Sequence, residues 1–270
     1  MLTDSHVHLN RSEFAGDVQD VLRRAADAGV TRFLNVGYDL VSSEQSLALA
    51  ASDPRIFATV GVHPHDASQL ASPAGDITAA GEKLLTRLRI LAGQPRVVAI
   101  GEIGLDFYRD LSPRPAQRAA LTAQLALACQ LDLPVVLHIR DAYPETLALV
   151  ESAGAPPAGG VLHAFQGDRQ NLDWAVAHGF RIGIGGPVTY RNSRLPDLLA
   201  HCPLESLLLE TDAPWLPPEP HRGRRNEPAY LRLTASQVAE LYGCPLKDLA
   251  RRTTNNFEDL FLRGREGVGA

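Results

Sequence analysis

The residues of this sequence that are best suited to chemistry are histidines and carboxylates at the ends of short apolar segments. His6 and His8 are two positions apart in DSHVHL, so in a β-strand both imidazoles point to the same face. Glu102 lies near the end of the apolar run VVAIGEIGL, where a buried carboxylate needs a cationic partner. Arg109 could supply that charge, but a carboxylate opposite two histidines is better explained as a bridge between two divalent ions.

Three further donors stand at the ends of other apolar segments. His138 ends PVVLHI, His163 lies in GGVLHAF, and Asp212 ends SLLLETD. One such residue could be part of the packed core, whereas six donors at five segment ends indicate a shared site. Nitrogen and oxygen ligands without sulfur suit Zn²⁺, Mn²⁺ or Mg²⁺. The sequence therefore predicts two divalent metal ions per chain, with the ligands His6, His8, Glu102, His138, His163 and Asp212.

Eight apolar segments alternate with helical stretches from one end of the sequence to the other. Because the segments are continuously apolar, they are typical of a parallel sheet that is buried on both faces. Eight strand–helix units predict a single-domain TIM (β/α)8 barrel over residues 1–270, with a flexible tail at 264–270. Its active site is expected at the C-terminal ends of the strands, and a doubly wound open sheet is the structural alternative. The predicted strands begin at Leu2, Thr31, Ile56, Arg96, Pro134, Gly159, Phe180 and Ser206.

Composition excludes several classes of function. The net charge of -5 over 270 residues has the wrong sign for holding nucleic acid by bulk electrostatics, so a polyanion must be bound locally. Three cysteines without CxxC spacing argue against disulfides and predict a cytoplasmic protein. We expect neither a membrane span nor a targeting segment. The sequence lacks a nucleotide-binding glycine motif and a GxSxG elbow, so no nucleotide cofactor is expected.

Other polar residues are candidates for substrate binding. His63 and His65 flank a proline in VGVHPHD, which favours a loop that presents imidazoles to substrate, although a structural role stays open. The segment HRGRRNEP follows the eighth strand and carries Arg222, Arg224 and Arg225. These arginines could give the strand ends local positive charge for phosphate, or could form a solvated basic loop. Asp106 could orient a ligand histidine or pair with an arginine.

The motifs DSHVHL, GVHPHD, GEIGLDFY, LHIRDA, LHAFQGD, LETDAPWL and RRNEP, in this order, resemble the TatD family of metal-dependent deoxyribonucleases over nearly the whole chain. The resemblance implies a TIM barrel, a two-metal centre and hydrolysis of DNA phosphodiester bonds, typically as an exonuclease. It implies that Glu102 bridges the two ions. The sequence departs from the usual LHCFSG at Ala164 and Gln166. The ligands implied are His6, His8, Glu102 and Asp212 for the first ion, and Glu102, His138 and His163 for the second.

The function that we predict is metal-dependent hydrolysis of DNA, on single strands or 3′ ends, in DNA degradation or repair. Asp212 and Glu102 are the expected catalytic residues, and Asp212 is expected to accept the proton of the attacking water. An amidohydrolase or phosphotriesterase-like enzyme acting on a small ester or amide is one alternative. A metal-binding protein that has lost catalysis is another. The oligomeric state is left open, and a monomer is compatible with the sequence.

Overall fold

The computed structural model describes residues 1–263, and the predicted tail at 264–270 lies outside these residues. Eight strands form one sheet in chain order, without the reversal of order that a doubly wound sheet requires. This strand order, with helices between the strands, confirms the predicted TIM-barrel fold class. The strands are β1 (Leu2–Val7), β2 (Val30–Asn35), β3 (Ile56–Val60), β4 (Val97–Asp106), β5 (Val135–Arg140), β6 (Gly160–Leu162), β7 (Arg181–Ile184) and β8 (Leu207–Leu209).

Side-chain caps mark where some of the helices begin. Asp39 caps the second helix by accepting a hydrogen bond from Ser42 N, and Asp168 caps the sixth in the same way through Asn171 N. The α-helices are α1 (Val18–Asp27), α2 (Leu40–Ser52), α3 (Ala79–Ala92), α4 (Arg114–Leu131), α5 (Tyr143–Ser152), α6 (Arg169–Ala177), α7 (Leu195–Leu199), α8 (Leu231–Leu241) and α9 (Leu246–Phe261).

Two compact units make up the described chain. Residues 1–35 with 164–263 form the first unit, and residues 36–163 form the second. In the first unit, β1 lies beside the segment that follows β8, because Asp212 N donates to His6 O at 2.9 Å and His8 N donates to Ala213 O at 2.9 Å. The expectation of one domain over the whole chain stays a prediction.

The second unit contains β3 to β6, and the pairing of β4 with β5 positions its polar residues. All ten residues of β4 are buried, as expected for a strand covered on both faces. Gly104 pairs with His138 in the parallel register and has a φ of 150°. A Cβ at Gly104 would overlap the carbonyl oxygen of His138, so only glycine allows this approach. Asp106 and His138 are thereby carried on adjacent strands.

A glutamine on α4 fixes the chain just after β3. The Gln124 side chain is buried, accepts a hydrogen bond from Val62 N at 2.7 Å and donates to Val62 O at 3.0 Å. Both backbone groups of Val62 are therefore satisfied by one side chain. Val62 immediately precedes His63, so these hydrogen bonds also fix the backbone position of His63.

We expect Gln124→Met to lower the free energy of unfolding by about 1–3 kcal/mol, because the buried N–H and C=O of Val62 lose their partner. Gln130→Met, on the exposed face of the same helix, should change it by less than about 0.5 kcal/mol. Urea unfolding of both variants measures the difference. Equal stability of the two variants would contradict this role of Gln124.

Candidate metal-binding sites

The first unit brings together two histidines and one carboxylate. The Nε2 atoms of His6 and His8 are 3.0 Å apart, and Asp212 Oδ1 lies 3.8 Å and 3.7 Å from them. Both imidazoles are buried. Donor atoms about 2.0–2.2 Å from one ion lie at most about twice that distance from each other, so this spacing fits a single divalent ion. The three side chains are thus a candidate metal site by their chemistry and by their geometry.

Buried polar residues hold the chain at Asp212. Asp4 accepts hydrogen bonds from Thr211 Oγ1 at 2.6 Å and Thr211 N at 2.9 Å. Burial raises the pKa of Asp4 to about 8, although these hydrogen bonds act in the opposite direction. Asn226 donates to Thr211 O at 2.8 Å and to Trp215 O at 2.7 Å. Asn226 of the RRNEP motif therefore stabilises the segment that carries Asp212.

In the second unit, three histidines surround Glu102. Glu102 Oε1 lies 2.9 Å from His138 Nδ1, and 3.5 Å from both His63 Nε2 and His163 Nε2. The Glu102 side chain is 5% exposed, so this carboxylate is almost completely removed from water. Among these residues, His63, Glu102 and His138 have donor atoms close enough to one another for a single divalent ion. The structure thus brings together Glu102, His138 and His163, as the sequence predicted, and adds His63 to the cluster.

Hydrogen bonds distinguish the roles of His63 and His138. The backbone N–H of His65 donates to His63 Nδ1 at 3.1 Å, so the proton of a neutral His63 is on Nε2. Burial lowers the pKa of His63 to about 4, which keeps it neutral. His63 therefore presents a donor N–H beside Glu102, whereas a metal ligand must present a lone pair.

His138 differs from His63, because its Nε2 atom, which points away from Glu102, contacts Asp106. Asp106 Oδ2 lies 3.2 Å from His138 Nε2 and 2.8 Å from His65 Nε2. Asp106 can accept the Nε2 proton of His138 and leave Nδ1, which faces Glu102, as a ligand atom. Burial lowers the pKa of His138, but hydrogen bonds to Asp106 and Glu102 outweigh it and raise the pKa. Burial raises the pKa of Asp106, and the hydrogen bonds that Asp106 accepts outweigh it and hold the pKa well below its usual range.

The predicted substrate-binding arginines differ in their surroundings. Arg225 donates to Asp17 Oδ1 at 2.9 Å and Oδ2 at 2.7 Å, so its guanidinium group already binds a carboxylate within the first unit. Arg222 is exposed, with its guanidinium carbon 4.5 Å from the centre of the Tyr190 ring. Arg224 is also exposed. A phosphate-binding role for these three residues stays a prediction.

A TIM-barrel fold with histidine and carboxylate donors at its strand ends is the arrangement of a metal-dependent hydrolase. Residues 3–262 match the model for TatD related DNases, and this chain belongs to that family. The resemblance seen in the sequence motifs is therefore confirmed, as is the prediction that the protein is a hydrolase.

Individual relatives agree with this assignment. The chain is 42% identical over 265 residues to the 3'-5' ssDNA/RNA exonuclease TatD of Pantoea vagans, covering 96% of this chain and 98% of the relative. It is 35% identical to the uncharacterized metal-dependent hydrolase YabD of Bacillus subtilis, covering 97% and 99%. The crystal structure of YJJV, a TatD homolog from Escherichia coli, is similar with a TM-score of 0.88 and 33% identity, covering 97% and 98%. Within residues 1–263, no helix is both long and apolar enough to cross a bilayer.

We expect Asp106→Asn to weaken Zn²⁺ or Mn²⁺ binding by about 10- to 100-fold. Asp106 Oδ1 accepts hydrogen bonds from Tyr108 N and Arg109 N, so the amide NH2 of the variant would replace Oδ2 and His138 would lose the acceptor that orients it. Calorimetric titration of the chelator-treated protein measures this effect. Asp110→Asn is the matched control, because Asp110 is partly exposed and pairs with Arg114 at 2.7 Å. Unchanged affinity in Asp106→Asn would show that Asp106 does not support a metal ligand.

Proposed function

We propose that this protein is a metal-dependent exonuclease that hydrolyses phosphodiester bonds of single-stranded DNA or RNA. The observation that carries the proposal is the group of His6, His8 and Asp212, whose donor atoms have the spacing of metal ligands. In the second unit, the approach of His138 Nδ1 and His163 Nε2 to the Glu102 carboxylate supports it. The similarity to relatives named 3'-5' ssDNA/RNA exonucleases supports the choice of substrate. A cytoplasmic role in DNA degradation or repair is part of the same proposal.

We propose two ions per chain, of Mg²⁺, Mn²⁺ or Zn²⁺. His6, His8 and Asp212 would hold the first ion, and His138 and His163 the second. The family resemblance adds Glu102 to both ligand sets as a bridge. When bound, such ions supply Lewis acidity toward the phosphoryl group and a water nucleophile that is active near neutral pH.

The chain's own residues suit the remaining steps. The Asp212 side chain is 13% exposed while His6 and His8 are 0% and 1% exposed, so Asp212 is the member of its cluster that reaches solvent. We assign to Asp212 the acceptance of the proton from the attacking water. His63, neutral and with its proton on Nε2, would donate a hydrogen bond to a non-bridging phosphate oxygen. His65 would position the Asp106 carboxylate through its hydrogen bond to Asp106.

Glu102→Gln should reduce turnover by at least about two orders of magnitude, since the amide cannot supply the bridging charge. Circular dichroism should show an unchanged fold, because one oxygen is exchanged for an amide group. Glu82→Gln, at an exposed position on α3, is the matched control and should keep wild-type turnover. Near-normal activity of Glu102→Gln would eliminate the bridging role.

Metal titration should count the proposed sites. The chelated wild-type protein should saturate above one ion per chain, and His138→Ala combined with His163→Ala should leave one ion, held by His6, His8 and Asp212. Atomic absorption after dialysis against Zn²⁺ provides the count. Saturation of the wild type at one ion or fewer would mean that the two-ion proposal is wrong.

The substrate class is tested with end-labelled single-stranded DNA, single-stranded RNA and a small phosphodiester, each after chelation and re-addition of one metal. We expect metal-dependent shortening of the labelled strands one nucleotide at a time. Cleavage of the small ester alone would favour the amidohydrolase-like alternative. No cleavage of any substrate with any of the three metals would contradict the proposed function.

A further inference from the structure

The first unit contains a large cavity that none of its proposed metal ligands lines. Its volume is about 850 Å³, which lies within the range of small-molecule binding sites. The segment after β6, the segment between β7 and α7, and the segment around Leu216 form its walls. These walls are fixed to each other: Tyr190 Oη donates to Pro217 O at 2.9 Å, and Glu219 N donates to Thr189 Oγ1 at 2.9 Å.

Four arginines line this cavity, and two of them have no carboxylate partner within residues 1–263. Arg169 pairs with Asp173 at 2.8 Å, and Arg222 lies 3.8 Å from Glu219. Arg191 and Arg194 are exposed and form no ion pair in this described part of the chain. In a protein with a net charge of -5, two uncompensated guanidinium groups on one cavity form a local site for an anion.

The cavity also adjoins one of the proposed catalytic residues. A cavity of only about 10 Å³ is lined by Asp212 and shares Gln166, Pro187, Leu195 and Leu216 with the larger one, so Asp212 lies next to the wall of the larger cavity. A molecule that extends from Asp212 along these shared residues would therefore reach the arginines. We expect a small ester bound at Asp212 not to extend to them.

We propose that this cavity binds the nucleotides adjacent to the scissile bond of a single strand, with Arg191 and Arg194 on their phosphates. The inference rests on the proposed function and extends it from the reacting phosphate to the rest of the strand. A guanidinium donates two parallel hydrogen bonds to phosphate, and its charge displaces counterions from the strand. The apolar side chains of Leu195, Leu198 and Leu216 suit the faces of nucleobases.

The test compares Arg191→Ala/Arg194→Ala with Arg251→Ala/Arg252→Ala, which removes the same charge from the exposed surface of α9. Fluorescence anisotropy measures the binding of labelled single-stranded DNA at several salt concentrations, with chelator present so that no strand is cleaved. Rates on the oligonucleotide and on bis(p-nitrophenyl) phosphate are then measured with metal.

The cavity variant should bind the strand at least about tenfold more weakly, and its log–log salt slope should fall by about 0.7 for each phosphate that the protein no longer neutralises. Its rate on the small ester should stay within about twofold of wild type. The α9 variant should stay within about twofold of wild type both in strand binding and in its rate on the small ester. Strand binding equal to that of the α9 variant, or an equal loss on the small ester, would overturn the assignment of the cavity alone. A wild-type protein that cleaves the small ester but no polynucleotide would instead overturn the proposed function.

Discussion

Both candidate metal sites depend on one electrostatic constraint, which is that imidazole and carboxylate groups are buried close to one another. Removing such groups from water costs several kcal/mol unless a partner replaces the lost hydration. His6 and His8 approach each other to 3.0 Å, a distance at which both cannot carry a proton between them. A divalent cation bound there would accept lone pairs from both rings and balance the charge of Asp212. The same reasoning applies to Glu102 among its histidines.

Much of the surrounding polar structure serves to orient these donors. In the first unit, Asp4 and Asn226 satisfy the backbone and hydroxyl groups of Thr211, next to Asp212. In the second unit, Asp106 fixes one nitrogen of His138 and leaves the other toward Glu102. Such supporting hydrogen bonds reduce the conformational freedom that metal binding would otherwise have to remove.

The sequence predicted the regular elements well, because the continuous apolar runs and helix caps are local signals. Strands β1 and β3 begin at their predicted positions, Leu2 and Ile56. Short 3-10 helices were not predicted, and the segment Pro64–Gln69, expected as a loop, is one of them. Such turns are fixed by a few hydrogen bonds and carry no periodic signal.

Residue partnerships across long sequence separations could not be predicted. The ion pair of Arg225 with Asp17 joins residues 208 positions apart, so the sequence indicated a basic loop and gave no sign of its carboxylate partner. Likewise, the protonated nitrogen of His63 depends on a backbone N–H whose position only the folded chain defines. Residue type and position at a strand end were enough to propose the metal ligands, whereas the orientation of each ring required the structure.

Metal binding by these residues is tested most directly by anomalous X-ray diffraction at the zinc edge from crystals of this protein equilibrated with Zn²⁺. We expect one peak about 2.0–2.2 Å from the Nε2 atoms of His6 and His8, and a second peak at the same distance from His138 Nδ1 and Glu102. A crystal saturated with Zn²⁺ that shows no peak at these donors, or shows peaks only elsewhere, would contradict this expectation.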